Sequence, residues 1–325
     1  MKWNSLRGQT IVFFSALLLA LTLAEVCLQL IGLGHPILYE KSVLWGYSPR
    51  PNQTERRLKG SRVTIDQNGF RIATPLEKGK EILFFGDSIA YGGSYIDDKK
   101  IFSSLTCEIL NAQIKGSRYS CANAAVNAYG LRNMLSRMIY VENQFPGAAM
   151  ILTVISDDFY RNFSQLSGLP YFTVSPPEPF PGTVELLAFS MDSVRSWLRF
   201  RKSAGAAHGE VASLSDRISS RIEVGMVVHA LHDFIKRRIQ DGKQTVLIWS
   251  PSRDWFNGIQ DEDEKYPYDK LQALGIKIVD MTPGLRESKR SHSEIYYDEA
   301  HLGQEGHQIY AQIISDILAK ELETN

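Results

Sequence analysis

From Glu81 onward, short apolar runs alternate with stretches of helical period, and this alternation restricts the fold more than any other feature of the 325-residue chain. Ile82–Phe85, Tyr119–Ala124, Ala149–Ile155, Thr245–Ser250 and Ile276–Asp280 have strand length and few charges. Helical stretches are expected over 101–114, Leu131–Gln144 and Gln304–Leu322. In the last of these, Ile309/Tyr310, Ile313/Ile314 and Ile317/Leu318 recur every four residues and make an apolar stripe. Strands alternating with helices predict an α/β fold, a parallel β-sheet of about five strands flanked by helices as a three-layer sandwich. In such sheets reactive residues gather beyond the carboxyl ends of the strands.

Two short motifs occupy chemically useful places in that pattern. Gly86-Asp87-Ser88 follows the first apolar run directly, and Asp298-Glu299-Ala300-His301 lies just before the last helix. Ser, His and Asp are the groups that nucleophilic acyl transfer requires. The hydroxyl attacks, the imidazole takes and returns its proton, and the carboxylate fixes the imidazole tautomer.

Four blocks in order then resemble those of the SGNH (GDSL-type) hydrolases of the membrane-anchored envelope type, over about Glu81 to Leu322. They are Phe84-Phe85-Gly86-Asp87-Ser88-Ile89, Asn123 through Gly130, Ile155-Ser156-Asp157-Asp158, and Asp298 through Leu302 with Gly306-His307. The resemblance implies a flavodoxin-like sandwich with Ser88 as nucleophile, His301 as general base and Asp298 as its orienter. It also implies an oxyanion hole from the N–H of Ser88, the N–H of Ala125 and the side chain at 157. Ala125 stands where the second block carries glycine, and Asp157 where the third carries asparagine. An ionised carboxylate accepts hydrogen bonds and donates none. Asp157 would therefore be protonated by burial beside Asp158, or replaced by a donor such as Asn127 or Asn162, or the site would be slow or inactive. Tyr91, Asn127 and Asp158 are candidate substrate contacts; Tyr91 and Tyr95 could instead cover the loop, and Asp87 and Asp158 could brace the backbone. No cofactor is expected. No metal site is expected either, because Asp298, His301 and His307 lack a completing ligand cluster; His307 reads as a packing or capping residue.

The first 80 residues follow other rules. Residues 1–10 read as a cytoplasmic tail. Ile11 to Leu33 is 23 residues, about 34 Å as a helix and enough to cross a bilayer. Lys2 and Arg7 precede it with no acidic residue, which orients the body outside the cytoplasm; the envelope-type resemblance implies the periplasmic face of a bacterial inner membrane. A signal peptide cleaved after Ala24 is the competing reading. Glu25 and Gln29 share one face inside this segment, as a helix partner in the membrane or as a neutral acid near its outer edge. Residues 34–80 read as a connector with a small hairpin around Gln67-Asn68-Gly69, serving as a cover on the sheet or a spacer. Residues 81–325 form the catalytic domain, with an insertion at about 161–243 that includes the proline- and aromatic-rich Leu169–Pro181 and helices near 184–202 and 215–240. Trp255–Tyr268 reads as a loop carrying the acidic run Asp261–Glu264.

The formal charge is zero, so no basic field points to nucleic acid. Cys107 and Cys121 could pair in an oxidising compartment or remain buried thiols. Together these readings point to an extracytoplasmic serine esterase on an O-acyl, specifically O-acetyl, ester of a carbohydrate or envelope glycan. An O-acyltransferase on the same triad, and an impaired glycan-binding or scaffold domain, are the alternatives.

Overall fold

The structure, a computed structural model, describes residues 3–77, 80–114, 116, 118–166, 181–188, 190–191, 214–259, 261–298 and 300–323. Helix α1 (Trp3–Leu30) contains the segment Gly8–Leu30, which is long and apolar enough to cross a membrane, with mean hydropathy 2.5 and no fully buried residue in its apolar stretch. A signal sequence would satisfy the same test. Beyond it, β1 (Tyr39–Ser42) pairs antiparallel with β2 (Gly46–Pro49), and β3 (Gln53–Arg56) with β4 (Arg62–Ile65). The Asn68-Gly69 turn is present, with Asp66 Oδ1 accepting the N–H groups of Asn68 and Phe70 and with Ile65 bridging Arg71. Phe70–Ile72 turns back along β4, the Asp66 N–H donating to the Phe70 carbonyl at 2.9 Å and the Ile72 N–H to the Thr64 carbonyl at 3.0 Å, as the expected small hairpin requires. Arg71 also exchanges main-chain bonds of 2.8 and 2.9 Å with Asn123, so the connector closes over the edge of the main sheet.

The main sheet holds β5 (Glu81–Phe85), β6 (Ser120–Asn123), β7 (Ala149–Val154), β8 (Thr245–Trp249) and β9 (Ile278–Asp280). All its pairings are parallel, and the order is β6-β5-β7-β8-β9. β5 to β8 are nearly wholly buried, as sheets covered on both faces require. Among the flanking helices, α3 (Phe102–Gln113) packs on the C-terminal helix Gln304–Glu323, while α4 (Leu131–Gln144) packs on the helix Leu214–Gln240. A disulfide joins Cys107 of α3 to Cys121 of β6, with Cα atoms 5.8 Å apart.

One expectation changes. The acidic run is the start of a helix, Glu262–Ala273, rather than a loop: Asp261 caps it by accepting the N–H of Glu264, and the acids that follow favour the positive end of the helix dipole. The proline-rich Leu169–Phe180 and the greater part of 184–202 lie outside the described residues.

Strand order fixes where chemistry can happen. The chain leaves β5 toward β6 on one side and returns to β7 on the other, so the crevice beyond the carboxyl ends of β5 and β7 is the topological switch point. The first residues beyond those ends include Ser88 and Asp157.

Candidate active site

The turn after β5 is built for one residue to stand out. Gly86 adopts φ +153, and a Cβ there would come within 2.6 Å of the Ala90 Cβ and 2.7 Å of the Thr153 carbonyl oxygen. Asp87 is buried and caps the short helix α2 (Ser88–Tyr91) by accepting the N–H of Ile89 at 2.9 Å. Ser88 is thus the first helical residue, where the N–H has no helical partner. Among the described residues no hydrogen bond claims that N–H.

The histidine arrives from the far end of the chain. Tyr296 and Leu302 bridge antiparallel, the Tyr297 N–H donates to the His301 carbonyl at 2.7 Å, and the Gly303 N–H donates to the Ile295 carbonyl at 2.7 Å. Gly306 permits this closure, since a Cβ there would lie 2.4 Å from the Ile295 oxygen. His301 Nε2 then lies 2.9 Å from Ser88 Oγ, and Nδ1 lies 2.8 and 3.0 Å from the two Asp298 oxygens. An ionised carboxylate only accepts, so the proton belongs on Nδ1 and the Nε2 lone pair faces the Ser88 hydroxyl. Burial raises the Asp298 pKa, but the N–H groups of His301 and Ala300 and the imidazole outweigh it and hold the carboxyl below its ordinary value.

Beneath Ser88 lies a charge cluster that no sequence motif announced. Arg161 Nη1 reaches Asp158 Oδ1 at 2.8 Å, the Tyr129 carbonyl at 3.0 Å and Asp87 Oδ2 at 3.1 Å. It thereby ties the Ser88 turn to α5 (Asp157–Tyr160), which follows β7. Gly130 allows the approach, because a Cβ there would meet the Arg161 Cβ at 2.7 Å. Burial, then the charge of Asp87, pushes the Asp158 carboxyl well above its usual range, against the pull of Arg161. The only sequence signal for Arg161 was its spacing of three residues from Asp158.

The remaining expected residues divide. Ala125 donates its N–H to Asn123 Oδ1 at 3.0 Å, so that donor is already engaged. The position that needs glycine-like freedom is Ala128, at φ +60 in the turn closed by the Tyr129 N–H and the Val126 carbonyl. Among the described residues no hydrogen bond claims the N–H of Asn127 or Ala128. Asp157 is exposed, and the buried carboxyl of the pair is Asp158. Asp158 is fully covered and paired, so it braces the site and cannot touch substrate. Tyr91 is likewise fully buried, beneath the Arg71 guanidinium 5.1 Å from its ring, and lines no acyl pocket. Asn127 is half-buried and donates its amide to the Tyr39 hydroxyl at 3.1 Å, which leaves one N–H of that amide. Asn162 is exposed. Tyr95 stacks on Tyr297 with centroids 3.8 Å apart and donates to the Leu302 carbonyl, beside His301; Lys59 Nζ sits 4.3 Å from the Tyr297 ring.

The connector contributes more than covering. Arg71 is wholly buried, and its guanidinium donates to the carbonyls of Tyr91, Gly93 and Ile96 and pairs with Asp98, so it shapes the loop after α2. Tyr47 donates to the Asn127 carbonyl at 2.6 Å and fixes the second-block turn. His307 is buried and Nδ1 accepts the N–H of Phe102, capping α3; burial, then Arg71, lowers its pKa to about 3, so it is neutral. Among the described residues no group of three or more His, Cys, Asp or Glu is arranged to hold a metal ion.

No family profile and no curated protein matches the chain. Solved structures do match it. A lipase/acylhydrolase from Enterococcus faecalis is 13% identical, covering 75% of this chain and 97% of its own, with a TM-score of 0.43. A G-D-S-L lipolytic family member from Veillonella parvula is 13% identical over 74% and 98%, with a TM-score of 0.38. A catalytic mutant of an acetylxylan esterase from Geobacillus stearothermophilus is 12% identical over 76% and 96%, with a TM-score of 0.41. With identities below 25% and TM-scores below 0.5, the chemistry that follows rests on this chain's own geometry.

Proposed function

We propose that this chain is a membrane-anchored, extracytoplasmic serine esterase that hydrolyses an O-acyl ester, with an acetylated carbohydrate as the substrate class. The observation that carries the reading is the continuous relay from Ser88 Oγ through His301 to Asp298 at the switch point of a parallel sheet. The Cys107–Cys121 disulfide supports an oxidising compartment, and the apolar span Gly8–Leu30 of α1, with Lys2 and Arg7 before it, supports the anchor and its orientation. The carbohydrate rests on the sequence resemblance.

In this reading Ser88 Oγ attacks the ester carbonyl carbon as its proton passes to His301 Nε2. The tetrahedral intermediate collapses, the C–O bond to the alcohol breaks, and the departing oxygen takes the proton from Nε2. Water then attacks acyl-Ser88 by the same route, releasing the acid and restoring the hydroxyl. Asp298 balances the imidazolium at each stage. A sugar hydroxyl in place of that water would make the same site an acyltransferase. The oxyanion is held by the Ser88 N–H and by the unclaimed N–H groups of the Asn127–Ala128 turn, while a carboxylate at Asp157 would supply no donor.

The test is hydrolysis of a chromogenic acetyl ester by the detergent-solubilised full chain. Turnover that disappears in Ser88→Ala and rises in Asp157→Asn, by up to about 10² as a donor is restored, supports the reading. Folded protein in which neither wild type nor Asp157→Asn exceeds Ser88→Ala contradicts it and favours a binding or scaffold role.

A further inference from the structure

An acid inside an apolar span is costly unless it is paired, and Glu25 finds its partners in the insertion. Its Oε1 accepts the main-chain N–H of Gly182 at 2.6 Å and the amide of Gln29 at 2.8 Å; Oε2 accepts the N–H of Thr183 at 3.0 Å. Gly182 and Thr183 open a helical segment described at 182–188 and again at 190–191, so Glu25 caps that segment from a distant part of the chain. The contact is close, since a Cβ on Gly182 would lie 3.0 Å from the Leu28 Cβ. A second set of bonds lies just beyond. Glu185 accepts the Gly34 N–H at 2.6 Å and pairs with Arg57, which donates to the Gly32 carbonyl at 2.9 Å. The insertion helix is thereby latched to the last turns of α1.

The helix turns Glu185 inward and exposes large apolar side chains on another face. Val184, Leu187 and Met191, spaced i, i+3 and i+7, are 45%, 61% and 54% exposed. Leu30 and Ile31 at the end of α1 are also exposed, so the apolar surface of the anchor continues onto this helix. Its depth also fits. Glu25 is five residues below Leu30, about 7.5 Å along the axis, and interfacial helices bury their apolar face about 5–10 Å into the headgroup and acyl boundary.

We propose that the helical segment opened by Gly182 lies in the outer interface of the membrane, with Val184, Leu187 and Met191 among the lipid chains. The partner is a phospholipid bilayer. The inference rests on reading α1 as a retained anchor. It adds that the body is held against the bilayer at two points, by the span and by an in-plane helix, with Gly32 and Gly34 fixed between them.

The test uses the full chain in phosphatidylcholine/phosphatidylglycerol vesicles, with and without a lipid carrying a spin label near the top of its acyl chain. One preparation carries an environment-sensitive fluorophore on the native thiol of Cys27, which is exposed in α1. The other carries it on Leu187→Cys in a Cys27→Ser background. The expected result is that the spin-labelled lipid removes about half or more of the emission at both positions, as for groups within the interfacial layer. Quenching at 27 with full emission at 187 overturns the inference and leaves the anchor standing. Full emission at both overturns the anchor and the inference with it. Full emission at 187 together with protection from aqueous iodide assigns the face to another copy of the chain, and the lipid proposal fails.

Discussion

Ser88 stands on a turn whose neighbours Gly86, Asp87 and Asn123 are buried and which Arg161 locks from below, whereas Asp298 and His301 sit on a loop with side chains 47% and 33% exposed. The Ser88 turn is held by long-range ties: Asn123 Nδ2 donates to the Ala90 carbonyl at 2.6 Å, and Arg161 joins Asp87 to Asp158. The Asp298–His301 pair is held mostly by its own main chain, through the N–H groups of Ala300 and His301 on Asp298 and the Tyr296–Leu302 bridge. The difference separates function from stability. On the histidine side a substitution should remove chemistry and leave the fold, while on the serine side the two should fall together.

The largest effect expected is on chemistry alone. Asp298→Asn should lower turnover by about 10⁴, because an amide can stabilise the wrong tautomer, while its thermal midpoint stays with the wild type in a calorimetric scan. A large loss of stability would break the contrast. Next comes Arg161→Ala, which leaves Asp87 and Asp158 buried beside each other without their cation. Denaturant unfolding should show a loss of about 3 kcal/mol, and activity should fall with it. A stable Arg161→Ala protein would mean the cluster is not what holds the nucleophile turn.

A pH experiment sharpens the same point at the buried end. His307 has a pKa lowered from 6.5 to about 3, so between those values the unfolded chain binds the proton that the folded chain refuses. Its contribution to stability is present above pH 6.5 and is lost as pH falls toward 3, by at most about 1.4 kcal/mol per pH unit. His307→Gln should flatten that part of the stability–pH curve. The smallest effect belongs to Ala128, a left-handed residue with a Cβ. Ala128→Gly should raise unfolding stability by about 0.5–1 kcal/mol, and a loss would place the strain elsewhere.

Local periodicity made much of this legible. The five strands appear within about two residues of the runs seen in the sequence, because buried parallel strands are continuous apolar runs bounded by polar loops. The triad was legible because Ser88 and His301 each sit in a short motif at an element boundary. Features resting on distant pairs were not legible. Nothing in the sequence joins Glu25 to Gly182, Arg71 to the 91–96 carbonyls, or Arg161 to Asp87. Ala125 and Ala128 share a chemical type, and only the backbone angle at 128 and the engaged N–H at 125 distinguish them. The acidic run looked like a loop because helix caps and first turns use the same residues as solvated loops.

The central claim is that Ser88 is a nucleophile activated by His301. The most direct measurement treats the full chain with a fluorophosphonate, which reacts only with an activated serine, and locates the adduct by peptide mass spectrometry. The account expects the adduct on Ser88 in the wild type and its loss in His301→Ala. An unmodified Ser88 in folded protein, or an adduct that persists without His301, would contradict it.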